Sequence, residues 1–321
     1  MRLRLRPTII FLMSPALVAG AAGAVTLFVT PDCPSPADCA ATLSVAGSAS
    51  LTARLNHPVP SPLRVQVLDA QQRPVPGVTV HFTRLDRPED ISTPDEPAPD
   101  VTLSSDTAIT DNSGLAQVTA AANDVAGSYQ YVALVMRGPE TLKAYFVLAN
   151  RPRTDGFPLT PVVEYVNLND GHYFFTADAG EMSKLDSGVL TGWVRTGSVF
   201  SAFLPDPKGI TVDSKSVCRF YGRQHDGSHF PSALPVECQA VRSEFGEASL
   251  LESDHAFSEL LPDPVSGECP TGSRSLYSAY KDRHDANQRY SPSIAVIHAL
   301  VFDGWIAEGY GPNAVAMCFP E

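Results

Sequence analysis

The chain has 321 residues, 44% of them hydrophobic and 18% charged, with a formal net charge of −12. That length suits about two globular domains with cores of their own. The acidic balance, without a basic stripe, excludes nucleic acid as a partner, because phosphate binding needs clustered Lys and Arg.

Residues 1–24 read as an export signal. Arg2, Arg4 and Arg6 form a basic start, Ile9 to Val18 a short apolar run, and Ala22-Gly23-Ala24 a small-residue cleavage site. The apolar run is shorter than the ~20 residues that span a bilayer. Cleavage and export are therefore expected, to a secreted, periplasmic or cell-surface location, and no later stretch is apolar enough to cross a membrane. Six cysteines follow, and an even number behind such a signal reads as disulfides. Cys33 and Cys39 are isolated from the others by a whole domain, Cys218 and Cys238 fall in one repeat unit, and Cys269 and Cys318 bracket another. These are the expected pairs. None forms a Cys-x-x-Cys motif, so no metal site is expected.

Residues 25–60 are rich in Pro, Ser and Ala, with one edge strand expected between Ala41 and Leu55. Residues 61–149 carry short alternating runs separated by turn signals, the pattern of a β-sandwich. Arg64 to Leu68 is one strand. Val78, Val80 and Phe82 line one face of the next, with Thr79 and His81 on the other. Asp111-Asn112-Ser113-Gly114 is a tight turn before Ala116 and Val118. Tyr129, Tyr131 and Ala133 alternate, as do Ala144, Phe146 and Leu148. The loop from Arg84 to Asp106 is long, proline-rich and acidic (Asp86, Glu89, Asp90, Asp95, Glu96, Asp100). The runs Val67-Leu68-Asp69, Pro74 to Phe82, Thr110 to Ala116 and Ala126 to Tyr129 resemble the bacterial Ig-like domain of the invasin and intimin type (Big-1). That resemblance implies a sandwich of about seven strands acting as a spacer. Residues 150–161, with three prolines and no periodicity, read as the interdomain linker.

Residues 162–321 repeat one unit three times. His172, His229 and Gln288, each beside aromatic residues, recur at intervals of 57 and 59 residues. Each unit is expected to hold two short aromatic strands, a short helix and a closing strand, the last marked by Trp193 to Gly197 and Trp305 to Gly309. Asp178 should cap the first helix with Glu181 completing a capping box, and Met182 and Leu185 facing inward. Pro235 suits the first turn of the second helix, with Glu237 matching Glu181. Ser293 should cap the third, with Ile294, Ile297 and Val301 on one face. The second repeat carries Leu250 where the others have Trp. The fold class expected is mainly β: an Ig-like sandwich followed by a three-repeat, pseudo-threefold β-rich domain with short helices. The stretches Val162 to Tyr165, His172 to Phe174, Val217 to Tyr221, Ser228 to Phe230, Glu237-Cys238, Gly304 to Gly309 and Gly311 to Cys318 resemble the secreted bacterial repeat family DUF5648. That resemblance implies an exported protein with a binding role. Pro231 and Ser232, Leu250 and Gln288 depart from its pattern.

The candidate ligand-binding residues are Tyr165, His172, Tyr221, His229, Tyr280 and Gln288 (polar groups beside stacking platforms) with Trp193 and Trp305. Each also fits a structural role: a repeated hydrogen bond for the histidines and glutamine, core packing for the tryptophans. His225-Asp226 with His229 has the look of a metal pair but is not repeated. No Gly-x-Ser-x-Gly or His-Glu-x-x-His motif occurs, so no catalytic residue and no cofactor are expected. The favoured function is a non-catalytic exported protein, a monomer, whose spacer presents a repeat module that binds a cell-surface glycan or protein. A hydrolase with an assembled site, predicting a pocket with a convergent acid–base pair, and a purely structural or adhesive surface protein are the alternatives.

Overall fold

In the computed structural model the described residues are 33–85, 98–151, 159–204, 214–222, 228–245, 249–281 and 286–320. The export signal, most of the acidic loop and the His225-Asp226 pair lie outside them. The N-terminal module opens with the short helix α1 (Pro36–Cys39). Ten strands follow: β1 (Thr42–Val45), β2 (Ser50–Arg54), β3 (Leu63–Leu68), β4 (Thr79–Arg84), β5 (Val101–Leu103), β6 (Thr107–Ile109), β7 (Leu115–Val118), β8 (Ala120–Ala122), β9 (Gly127–Arg137) and β10 (Glu140–Arg151). They form a three-stranded sheet β1-β3-β7, a five-stranded sheet β2-β10-β9-β4-β6 and a β5-β8 ladder.

Period-2 alternation places the core between these sheets. Val65 and Val67 point inward from β3, Val80 and Phe82 from β4, Tyr129, Tyr131 and Ala133 from β9, and Phe146 and Leu148 from β10. His81 is half-buried on the other face of β4. The Asp111 carboxylate accepts from the Ser113 and Leu115 amides and fixes the turn. Gly114 there has φ +69°, and a Cβ on it would lie 2.5 Å from the Val67 carbonyl oxygen, so glycine is required. The sandwich begins earlier than the sequence suggested. The stretch before residue 61 supplies two strands, not one: β1 pairs antiparallel with β3, and β2 pairs parallel with β10.

The C-terminal module contains β11 (Leu159–Asn167), β12 (Tyr173–Thr176), α2 (Ala179–Asp186), β13 (Trp193–Phe203), β14 (Lys215–Ser216), β15 (Cys218–Gly222), β16 (His229–Ser232), α3 (Pro235–Ala240), β17 (Ser249–Ser253), β18 (Ser258–Glu259), β19 (Ser273–Lys281), β20 (Asn287–Ser291), α4 (Ile294–Phe302), β21 (Ile306–Glu308) and β22 (Val315–Pro320). Each repeat centres on one strand (β11, β15 or β19) with a hairpin partner on one side (β12, β16 or β20). On its other side lies a closing strand, continuous in β13 and broken in the other two repeats. Register makes Val162, Val217 and Leu276 equivalent, and none of the three is exposed at all. Phe200, Phe257 and Met317 lie beside them from the closing strands. All six belong to one core, as a pseudo-threefold arrangement requires: no repeat buries its apolar face alone.

Register also corrects the alignment of the repeats by one residue. Val166 pairs with Tyr173 in the first repeat, Tyr221 with His229 in the second and Tyr280 with Gln288 in the third. His229 and Gln288 are therefore equivalent to Tyr173, while His172 corresponds to Ser228 and Asn287. Likewise Leu250 pairs with Tyr221 as Val194 pairs with Val166 and Ile306 with Tyr280. Ser249, not Leu250, stands at the tryptophan position. A slip of one residue moves a side chain to the opposite face of its strand, so these corrections change which groups can meet.

The helices show two further departures. Asp178 caps α2 by accepting from the Glu181 amide, but the Asp178 amide donates to Thr176 Oγ1 at 2.9 Å, so the capping box stays open. In α4 Val296 and Ile297 are buried while Val301 and Phe302 are exposed, and Ser293 makes no side-chain cap. The linker reading also changes. Asn150 and Arg151 end β10 and are buried, and Leu159 to Pro161 begin β11. The modules touch directly: Gln130 Nε2 donates to the Ser198 carbonyl at 3.3 Å, Arg195 Nη1 to Gln130 Oε1 at 2.7 Å and Arg151 Nη2 to Ser201 Oγ at 2.8 Å. This contact explains why Tyr129 through Ala133 are all buried, on both faces of β9.

Disulfides join Cys218 to Cys238 and Cys269 to Cys318, with Cα separations of 6.1 and 5.7 Å. Cys33 and Cys39 are also disulfide-bonded, and no described cysteine is free. No helix among the described residues is long and apolar enough to cross a membrane.

Candidate functional site

Several of the candidate residues, His172, His229 and Gln288 among them, lie where the repeats meet, and the three seams are built to one plan with different side chains. At the first seam, between repeats one and two, Arg219 projects from β15. Its Nη2 and Nη1 donate to Glu181 Oε1 and Oε2 at 2.6 and 3.1 Å, and its Nε donates to Glu252 Oε2 at 2.9 Å. The guanidinium stacks 4.7 Å from the Phe174 ring centroid. Burial alone would raise the Glu252 carboxyl, but His229, with Nε2 3.6 Å away, and Arg219 outweigh it and hold its pKa below the usual range. The His229 ring packs among Phe174, Tyr221 and Trp193, at centroid distances of 4.6, 5.3 and 6.2 Å. Glu181, read from the sequence as a capping residue, is thus half of an ion pair that ties two repeats together.

At the third seam, between repeats three and one, the guanidinium comes from β20. Arg289 Nε and Nη2 donate to Glu164 Oε1 and Oε2 at 3.1 and 3.0 Å, and the group lies 4.2 Å over the Tyr173 ring. Thr196 Oγ1 donates to Glu164 Oε2 at 2.7 Å. Burial raises the Glu164 carboxyl, opposed by the Thr196 hydrogen bond, and burial lowers the Arg289 guanidinium. His172, fully buried, contributes here through Nε2, 2.9 Å from the Ala286 carbonyl oxygen, while Asn287 Nδ2 donates to the Gly171 carbonyl at 2.9 Å.

At the second seam, between repeats two and three, a cleft of about 350 Å³ opens. Phe230, Ser232, Glu237, Ser278, Gln288 and Glu308 are among the residues that line it. Ser232 Oγ donates to Glu237 Oε2 at 2.6 Å, and Gln288 Nε2 lies 3.4 Å from Ser278 Oγ and 3.5 Å from Glu308 Oε2. Both glutamates are exposed. Partial burial, followed by the charge of Glu237, raises the Glu308 carboxyl above the ordinary value.

The structure therefore separates the candidates. Tyr165 is core, its hydroxyl donating to Asp186 Oδ1 at 3.1 Å. His172 is a strut. Trp193 is half-buried against Phe174, and Trp305 meets Tyr173 edge-on at 6.4 Å. Tyr221 and Tyr280 are half-buried at equivalent positions on β15 and β19. Of the eight, Gln288 alone lines the open cleft. The residues that organise the seams, Glu164, Glu181, Arg219, Arg289 and Glu308, were not singled out for binding from the sequence. The available signal was a charged residue inside an aromatic strand, Glu164 in Val-Glu-Tyr and Arg219 in Cys-Arg-Phe, with opposite signs at one repeat position. Among the described residues no group of three or more His, Cys, Asp or Glu side chains could hold a metal ion.

No protein-family model and no curated protein matches the chain. Among solved structures it is similar to domains 4–9 of the surface layer protein SbsC, at a TM-score of 0.24 and 14% identity over 55% of this chain. The chain covers 22% of that structure, and a likeness of this quality carries no argument.

Proposed function

We propose that this is an exported, non-catalytic surface protein in which an Ig-like sandwich holds a three-repeat module, and that the module binds a glycan or protein at the cell surface. The residues that read as an export signal and the disulfides support the setting. The observation that carries the binding role is the cleft at the second seam: an open, polar recess at a position where the other two seams are filled by the protein's own side chains. The test uses the full mature chain against glycan arrays and immobilised surface extracts, with hydrogen exchange on any complex obtained. Protection within residues 162–321 is the expected result. Protection confined to residues 42–149 would make the sandwich the contact and the module a cap. A folded sample that associates with nothing would refute binding altogether.

A second reading, a hydrolase, draws on the same cleft, where Glu308, its carboxyl raised, stands with Glu237. Hydrolysis of a chromogenic glycoside panel, abolished by Glu308→Gln, would establish it. Panels without turnover leave the binding reading in place.

A further inference from the structure

The three seams supply an internal comparison. In the first, a guanidinium sits between Glu181 of α2 and Glu252 of β17, over the face of Phe174. Register carries each of these positions into the second seam. Phe174 corresponds to Phe230, because they pair with Tyr165 and Phe220 at the same step. Glu181 corresponds to Glu237: each accepts a hydrogen bond from the hydroxyl five residues earlier, Thr176 or Ser232. Leu251 and Ala307 are equivalent, opposite Phe220 and Ala279, and each is followed by a glutamate: Glu252 at the irregularity before Ser253, which pairs with Arg219, and Glu308 directly opposite Ser278. Arg219 corresponds to Ser278, opposite Pro231 and Tyr290 respectively. The second seam thus keeps the ring and both carboxylates of an arginine-binding site and replaces the arginine by serine. The cleft lies where the arginine would be.

We infer that the cleft between the second and third repeats binds a guanidinium group, presented as an arginine side chain of a partner protein, held between Glu237 and Glu308 over Phe230. This rests on the reading of the repeat module as the binding part, and it chooses protein over glycan. Two carboxylates flanking an aromatic face suit a planar, weakly hydrated cation with several donors better than a sugar. Gln288, standing where His229 stands in the first seam, lies beside Glu308 with its amide. An arginine within a chain suits the site better than the free amino acid, whose own carboxylate both glutamates would repel.

The probe is acetyl-arginine-amide, titrated into the full-length protein and followed by calorimetry or by NMR. Free arginine, acetyl-lysine-amide and acetyl-glutamine-amide serve as comparisons. Saturable one-to-one binding of acetyl-arginine-amide is expected, weaker for free arginine and for the lysine analogue and absent for the glutamine one. Glu308→Gln and Glu237→Gln should each weaken it by roughly tenfold, the loss expected for a charge-assisted hydrogen bond made neutral. Ser278→Arg should fill the cleft from within, abolish binding and raise the melting temperature. Should that variant fail to fold, the two glutamine variants still decide. Equal affinity of wild type and both glutamine variants, or no saturable binding, overturns the inference. If the amide fails to bind while the protein still attaches to surface extracts through residues 162–321, the inference falls and the binding module stands. If the amide binds but no extract does, the cleft is a guanidinium site and the surface role falls.

Discussion

Changing Arg219→Ser gives the first seam the residue of the second and tests the seam from its filled side. The substitution removes three charge-assisted hydrogen bonds, at 2.6, 2.9 and 3.1 Å, and the stacking on Phe174. Breaking a buried ion pair costs about 3–5 kcal/mol, because the stranded charges lose their partner. Glu181 and Glu252 retain 33% and 26% side-chain exposure, so water re-solvates them in part. A net loss of about 2–3 kcal/mol follows from that discount. At roughly 2–4 °C per kcal/mol for a unit of this size, the melting temperature should fall by about 5–10 °C. The assay is thermal unfolding of the full chain followed by near-UV circular dichroism. Arg242→Ser is the control, since its pair with Asp254 is about half exposed on both sides and should contribute under ~1 kcal/mol. Acetyl-arginine-amide should raise the melting temperature of Arg219→Ser by more than that of the control, because the control offers the second-seam cleft alone and Arg219→Ser offers two such sites. If Arg219→Ser melts no lower than the control, the guanidinium does not hold the repeats together and the reasoning fails.

Two other outcomes follow from buried groups and crosslinks. Glu259 is fully buried, and neither of its carboxyl oxygens has a hydrogen-bond partner among the described residues, so burial raises its pKa well above the ordinary value. A carboxyl raised in the folded state contributes fully below its unfolded pKa, and the contribution is lost as pH rises towards the folded one. Glu259→Gln should therefore match wild type near pH 4 and melt higher at neutral pH, and a difference that does not change with pH would refute this. For the disulfides, the chain-entropy model gives about 3 kcal/mol for the Cys218–Cys238 separation of 20 residues and about 4 kcal/mol for the 49 between Cys269 and Cys318. Double Ser variants should rank in that order by melting temperature, with removal of Cys33 and Cys39, six residues apart, costing least; non-reducing peptide mapping checks the pairs first.

Much of this fold was legible because its signals are local. Alternation along Val78 to Phe82 and Tyr129 to Ala133 marks strands whichever partner covers them, and a repeat interval survives substitution. The cysteine pairs were legible because each falls within one unit. What the sequence withheld depends on contacts between units. The second buried face of β9 comes from Ser198 and Arg195 of the other module, so residues 150–161 looked like a linker although their first two residues are buried. The slip that grouped His172 with His229 arose because aromatic residues follow both, and only strand register shows that one residue changes which seam face a side chain occupies. Glu181 read as a cap because position three of a helix is where a capping glutamate belongs; its actual partner lies 38 residues away on another repeat.

The pattern of loss among the repeats bears on whether the second seam is merely decayed. Facing carboxylates without a cation repel each other, so a seam that had lost its arginine with nothing to replace it would gain stability by losing a carboxylate too. The third repeat shows that such a replacement fits the fold. Val296 occupies the helix position of Glu181 and Glu237, five residues after the strand-end hydroxyl of Ser291, and it is buried. There the guanidinium comes from β20 instead of the central strand and pairs with Glu164 over the Tyr173 ring. An apolar side chain at the helix position is thus compatible with the module, yet the second seam keeps Glu237 and Glu308 beside Phe230, with one carboxyl raised by burial and by the other's charge. Retaining that repulsion is what a site for an external cation requires. Glu237→Val should accordingly stabilise the folded protein while abolishing binding of acetyl-arginine-amide, and a Glu237→Val protein that melts lower than wild type would argue that the glutamate serves the fold instead.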